Sequence, residues 1–201
     1  AKFQSLAESN DQPIKPERVV AALSQVLDAD SMVVADAGTP CPYLSAYYQQ
    51  RATGRRFFSN RAHGALGYSM AAAMGAHFAR PHVKTVSVMG DGSFGFTCGE
   101  LETAVRYRLP VTFIVIANSS YGWIKAGQRS GYGQRYFGVD FAGTDHAAVA
   151  AAFGVKSWRV TEPSKLAMAL KECLGHDGPT LLDIVCQPLH EAQAPVSEWI
   201  A

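Results

Sequence analysis

Val83-Lys84-Thr85-Val86-Ser87-Val88-Met89-Gly90-Asp91-Gly92-Ser93-Phe94 is the stretch on which the reading of this chain turns. Its first seven residues are rich in β-branched side chains and predict a strand, which breaks at the glycines. Residues Thr97 to Arg108 then predict a helix with Leu101, Ala104 and Val105 on one face. A second apolar run, Val111 to Ile116, ends at Ala117-Asn118-Ser119-Ser120-Tyr121-Gly122. An aspartate and an asparagine therefore each stand where a buried strand gives way to a loop. That is the edge on which open parallel sheets bind ligands. Gly90 and Gly92 let the backbone approach a bulky anion, and the following helix can offer its first amides to phosphate. One carboxylate, one amide oxygen, a loop carbonyl and phosphate oxygens make an oxygen-only shell suited to Mg²⁺. Alone, Gly-Asp-Gly is a turn signal. The strand–turn–helix–strand–Asn context is what sets it apart.

The rest of the chain alternates strand and helix. Pro13 to Pro16 lead into a helix with Val19, Leu23, Val26 and Leu27 on one face. Ser31 to Ala35 predicts a short buried strand ending at Asp36-Ala37-Gly38-Thr39, a second strand end on the ligand edge; Asp36 reads equally as a turn or cap residue. Tyr43 to Gln50 predicts a helix whose bulky side (Tyr43, Leu44, Tyr47, Tyr48) suits core or subunit contact. Arg51, Arg55 and Arg56 make a basic loop, either solvated or gripping an anionic substrate tail.

Phe57 to Ser59 predicts a short strand, followed by Asn60-Arg61-Ala62-His63-Gly64-Ala65-Leu66-Gly67-Tyr68 and an alanine-rich helix from Ser69 to Ala79. His63 reads either as a proton shuttle near neutral pH or as a hydrogen-bonded bystander, and Arg61 has the fork geometry for a carboxylate. Lys125 to Phe141, rich in Gly, Arg, Gln and Tyr, predicts a long irregular loop that orders when cofactor or partner binds. Thr144 or Asp145 caps a helix from Ala147 to Phe153. A strand over Val155 to Val160, a helix over Pro163 to Leu174 and a strand over Pro179 to Val185 complete the chain. His146, His176 and His190 lack metal-site spacing and read as surface or capping residues. The alternation predicts a three-layer α/β sandwich with a mostly parallel sheet.

The length of 201 residues suits one domain with a real core. A balance of 18 basic against 17 acidic residues gives no electrostatic reason to expect nucleic acid or an anionic membrane as partner. No apolar run approaches a membrane span. Cys41, Cys98, Cys173 and Cys186 form no CxxC pair, which predicts a reduced, cytoplasmic setting. Residues 1–12 are polar and read as a tail or linker remnant, leaving 13–201 as the domain.

Gly90-Asp91-Gly92-Ser93 followed by Asn118 resembles the thiamine-diphosphate motif of the family that contains acetolactate synthase, benzoylformate decarboxylase and pyruvate decarboxylase. The resemblance runs from about Pro13 to about Pro188 and covers that family's diphosphate-binding (PP) domain. The family motif usually ends in two asparagines. Here Ala117 takes the first place and Asn118 keeps the second, which is the metal ligand. The resemblance implies thiamine diphosphate and Mg²⁺ as cofactors. It implies metal contacts from Asp91, Asn118 and the Ser120 carbonyl, and cofactor contacts from Gly90, Asp91, Gly92, Ser93, Asn118, Ser120, Tyr121 and Gly122. It gives Gly64 the carbonyl that accepts from the cofactor's 4′-amino group. Leu66 becomes the aliphatic wedge that bends the cofactor, so that proton removal is intramolecular; from the residues alone Leu66 is equally a core residue. His63 is the candidate catalytic side chain beside it.

In this family the activating glutamate belongs to a separate pyrimidine-binding (PYR) domain, for which a chain of this length has no room. The resemblance thus implies a PYR-domain partner chain in a hetero-oligomer such as a heterotetramer, or a severed C-terminal part of a larger enzyme. Asn118 to Gly154 resembles the acetolactate synthase and benzoylformate decarboxylase branch, which implies a 2-oxo acid substrate and decarboxylation or carboligation. Two other readings stand beside it. One is a subunit of a 2-hydroxyacyl-CoA lyase, marked by coenzyme A dependence. The other is a non-catalytic scaffold or regulatory subunit, with Ala117 as its only support in the sequence.

Overall fold

The computed structural model describes residues 2–191, so the last ten residues of the expected domain, 192–201, lie outside it. In chain order the elements are α1 (Lys2–Ala7), α2 (Pro16–Val26), β1 (Met32–Ala35), α3 (Pro40–Tyr47), β2 (Phe57–Ser59), α4 (Tyr68–Ala79), β3 (Thr85–Gly90), α5 (Asp91–Thr97), α6 (Glu100–Arg106), β4 (Val111–Ala117), α7 (Gly122–Gly131), α8 (His146–Ala152), β5 (Lys156–Val160), α9 (Leu166–Gly175) and β6 (Thr180–Val185). The strands form one sheet in the order β2-β1-β3-β4-β6-β5, every pair parallel. The chain leaves β1 toward β2 and returns on the other side to β3. The order therefore reverses between β1 and β3, the place where such sheets open a binding crevice.

The central strands are apolar without interruption because both faces are covered. Along β4, Ile114 and Ile116 pack with α2 and α9 residues such as Val19, Leu23 and Leu170, while Phe113, Val115 and Ala117 pack with Met70 and Leu101 from α4 and α6. The period of two sends neighbours into two separate cores, which makes the three layers. At the margins, β2 is three residues long and β5 exposes Lys156 and Arg159. Among the described residues no helix is long and apolar enough to cross a membrane, and the four cysteines are free.

Three segments differ from expectation. Residues 2–7, read as part of a polar tail, form α1: Phe3 stacks on Tyr47 with ring centroids 4.2 Å apart, Ala7 is buried, and Arg18 donates to the Glu8 and Ser9 carbonyls at 3.0 and 2.8 Å. Phe3, Leu6 and Ala7 make a helical stripe that the average polarity concealed. The helix expected over Thr97 to Arg108 is α6, Glu100–Arg106, and a separate, unexpected helix, α5, precedes it from Asp91 itself. Most of the expected loop's first part is helical too, as α7, which buries Ala126 beneath it.

The start of α4 has no cap of its own. Asp36, fully buried at the end of β1, supplies it from a distance: Oδ2 accepts from Gly67 N (3.1 Å), Ser69 N (3.2 Å) and Ser69 Oγ (3.1 Å), while Oδ1 accepts from Ala37 N (2.9 Å). Ser87 Oγ on β3 donates in turn to Ser69 Oγ at 2.9 Å. Gly67 lies at φ +88°, and a Cβ there would come within 2.8 Å of Thr97 Cγ2. This knot fixes where the helix leaves the sheet. An Asp36→Ala variant strands the buried Gly67 and Ser69 amides and should lose about 3 kcal/mol of unfolding free energy in urea titrations, several times the effect of an exposed substitution.

Candidate active site at the strand ends

The ends of β1, β3 and β4 come together around a cavity of about 170 Å³. Ala37, Gly38 and Thr39 line it from β1, Gly90 to Ser93 from β3 and α5, and Asn118 and Ser120 from the loop after β4. Gly64 and Leu66 supply another wall, and Tyr121 to Ile124 the last. Every residue expected to hold cofactor or metal therefore lines this one cavity. His63 does not: its backbone closes a turn onto Asn60 O at 3.2 Å and its side chain is exposed. Leu66 is only half-buried, with its side chain 3.9 Å from where a Gly38 Cβ would be, so it faces the crevice instead of a core.

Asp91 organises the floor. It is 7 % exposed, and its Oδ2 accepts from Asn118 N at 2.9 Å and Ser119 N at 2.6 Å, while Oδ1 accepts from Gly92 N at 2.9 Å. Burial raises its pKa above the usual carboxylate range; the bonds from Gly92, Ser119 and Asn118, and the charge of His146, pull the other way. Three accepted bonds leave a lone pair on Oδ1. Asn118 Oδ1 accepts two long bonds, from Ser120 N (3.2 Å) and Ser120 Oγ (3.3 Å). Rotation of the Ser120 hydroxyl frees part of that oxygen. A carboxylate, a carboxamide and the neighbouring main-chain carbonyl are hard oxygen donors, a set that could hold Mg²⁺. Among the described residues no cluster of three His, Cys, Asp or Glu competes for a metal.

Close packing sets the shape. A Cβ on Gly92 would fall 2.6 Å from Tyr121 Cε1 and 3.2 Å from Phe141 Cζ, so the tyrosine ring lies directly on the backbone. Tyr121 and Phe141 meet edge to face at 4.5 Å.

A wider cleft of about 510 Å³ adjoins the other side of Asp91, lined by Phe94, Phe96, Phe141 and His146 among others. His146, expected at the surface or as a cap, is buried at the first position of α8. Its Nδ1 meets Asp183 Oδ1 at 3.2 Å and its backbone N donates to Asp183 Oδ2 at 3.1 Å, while its ring stands edge-on to Phe94 at 5.3 Å. Asp183, fully buried on β6, also accepts from Arg159 Nη1 at 3.0 Å. Nothing local in the sequence pairs positions 37 residues apart; the one available signal was a charged residue inside the apolar run Leu181 to Val185. The cap of α8 is Asp145, whose Oδ1 accepts from Ala148 N at 2.9 Å.

Residues 36–184 match the family model for the thiamine pyrophosphate enzymes' C-terminal TPP binding domain. Acetolactate synthase of Bacillus subtilis is 34 % identical over 169 residues, 84 % of this chain and 29 % of that protein. Benzoylformate decarboxylase of Pseudomonas aeruginosa is 29 % identical over 195 residues, 92 % of this chain and 34 % of the relative. An acetolactate synthase large subunit of Porphyra purpurea is 28 % identical over 188 residues, covering 92 % and 31 %. An X-ray structure assigned to a thiamin diphosphate-dependent enzyme of Mycobacterium smegmatis superposes with a TM-score of 0.76 at 26 % identity, over 90 % of this chain and 33 % of that one. The chain thus spans about a third of the length of the proteins it matches.

The Gly92–Tyr121 contact gives a test of the site's packing. Gly92→Ala should cost about 1–3 kcal/mol by overpacking. Tyr121→Ala in the same chain removes the obstruction, so a double-mutant cycle in urea should return a coupling of about 1 kcal/mol or more in the compensating direction.

Proposed function

Because this chain belongs to the thiamine pyrophosphate enzymes, as their C-terminal cofactor-binding domain, we propose that it is the diphosphate-binding part of a thiamine-diphosphate-dependent 2-oxo acid decarboxylase or carboligase. The observation that carries the reading is the Asp91 carboxylate, buried, bonded among the described residues to no cationic side chain, and oriented by three backbone amides beside Asn118 and Ser120. These oxygens would hold Mg²⁺ for the cofactor's diphosphate, and the bound cofactor would supply the electron sink for cleavage next to a ketone.

The chain's own residues then divide the work. Asp91, Asn118 and the Ser120 carbonyl would hold the metal, while Gly92 and Ser93 would bring the backbone of α5 close to the diphosphate. Leu66 would press against the bound cofactor as its wedge, and the Gly64 carbonyl would accept from its amino group. Tyr121, Trp123 and Ile124 exclude water from the side on which substrate arrives. The activating glutamate would come from a PYR domain, on a partner subunit or elsewhere in a longer polypeptide. A large-subunit relative supports an assembly of more than one chain, and the relatives, about three times as long as the matched span, leave room for a PYR domain in the complete enzyme. The acetolactate synthase and benzoylformate decarboxylase relatives favour a 2-oxo acid over a 2-hydroxyacyl thioester.

The test supplies the protein, in the assembly that completes it, with thiamine diphosphate, Mg²⁺ and a panel of pyruvate, 2-oxobutyrate and benzoylformate. Release of CO₂ from at least one is expected. Cofactor binding without CO₂ release from any, but with cleavage of a 2-hydroxyacyl thioester, replaces the reading with the lyase; binding with neither reaction replaces it with the scaffold.

Asp91 gives a second readout that needs no turnover. Its raised pKa means the folded chain holds this proton more tightly than the unfolded one does. Its contribution to stability is therefore full in acid and is lost as pH rises from 3.8 through the higher folded value. Without divalent cations, the Tm of Asp91→Asn should gain on wild type between acid and neutral pH. Mg²⁺ with thiamine diphosphate should raise the wild-type Tm by several degrees and leave the variant unmoved.

A further inference from the structure

We propose that Arg61 takes the carboxylate of the substrate at the mouth of the cofactor cavity, an inference that rests on the 2-oxo acid reading above. Arg61 stands on a turn that is tied on itself. His63 N and Gly64 N donate to Asn60 O at 3.2 and 2.9 Å, and Asn60 Nδ2 donates to Ala65 O at 2.6 Å. The turn presents Arg61 outward from fixed backbone, three residues ahead of Gly64 and five ahead of Leu66, which both line the cavity. From there the guanidinium reaches across to the opposite wall, its central carbon 5.3 Å from the centroid of the Trp123 ring. Trp123 lines the same cavity. The arginine thus spans the opening between the turn before α4 and the start of α7.

A guanidinium held by an aromatic ring uses its face and keeps its edge. The edge carries the paired N–H donors that match the two oxygens of a carboxylate. Among the described residues no carboxylate pairs with Arg61, whereas Lys125, further along α7, is occupied by Asp140 at 2.6 Å. The mouth therefore carries one exposed, aromatically held cation whose fork is open. The small cavity behind it is the one assigned to the cofactor, so a substrate reacting there meets Arg61 at the opening, and a 2-oxo acid bears its carboxylate on the carbon next to the ketone. An anionic group on a coenzyme A thioester offers the same charge, and the experiment separates the two.

The experiment uses the assembled protein loaded with thiamine diphosphate and Mg²⁺, as wild type, Arg61→Ala and Arg61→Lys. Cofactor affinity is read first, by quenching of tryptophan fluorescence without substrate. KM and kcat follow for pyruvate and for its uncharged methyl ester, and coenzyme A is tested as a competitor. Arg61→Ala should bind cofactor as wild type does and raise KM for pyruvate on the order of ten- to a hundredfold, leaving the methyl ester little changed. Arg61→Lys keeps the charge without the fork and should fall between. An unchanged pyruvate KM in Arg61→Ala overturns the inference and leaves the 2-oxo acid reading standing. Loss of cofactor affinity in that variant also overturns it, because Arg61 would then serve the cavity's shape. Protein that binds cofactor, ignores pyruvate and binds coenzyme A as wild type but not as Arg61→Ala overturns both, and gives the cation to the thioester.

Discussion

Two carboxylates buried at neighbouring strand ends, each held by main-chain amides and, among the described residues, by no salt bridge, fix the ligand edge of this sheet. Asp36 closes β1 and Asp91 closes β3, on either side of the gap where the strand order reverses. Removing an ionised carboxylate from water is costly unless donors replace the water. Here the donors are main-chain amides of segments distant in sequence: Gly67 and Ser69 for Asp36, Asn118 and Ser119 for Asp91. Each carboxylate therefore works as a tie. The chain can bury it only by bringing the turn before α4, or the loop after β4, to one particular place.

The two ties differ in what they leave over. Asp36 is enclosed by four donors and belongs to the scaffold. Asp91 keeps an open lone pair toward a cavity, and burial holds its proton affinity high. A group in that state is better served by a cation than by more water, which is why the scaffold and the chemistry diverge at two residues that look alike. His146 lies within electrostatic reach of Asp91 and is itself tied to Asp183, so the electrostatics of the floor extend through α8 to β6.

Strands were the most legible part of the sequence. All six were placed within two residues, because β-branched runs such as Thr112 to Ile116 have a strong local signature and are covered on both faces. The glycine–aspartate and asparagine positions were legible for the same reason, each marking the end of such a run. What escaped were features that depend on partners far away. Asp36 could be read as a turn residue or a ligand residue, and its actual role became visible only with Gly67 and Ser69 beside it. His146 looked superficial because Asp183, its partner, sits in another strand. The helix at residues 122–131 was masked by glycines at both ends and by polar residues between them, whereas its burial comes from Gly122 and Ala126. Composition misled at residues 2–7, where three apolar side chains at helical spacing outweighed their polar neighbours.

The margins of the sheet limit how the molecule can meet another chain. At one side β2 offers three residues of backbone; at the other, β5 is charged at Lys156 and Arg159. Short and charged edges resist the addition of a foreign strand. Association by extending the sheet is thereby discouraged at both ends, so a companion must meet this protein across its helical layers or over the crevice, by side-chain fit instead of backbone pairing. Such contacts discriminate between partners far more sharply than a strand edge does, and they keep a fold with so apolar a sheet from polymerising.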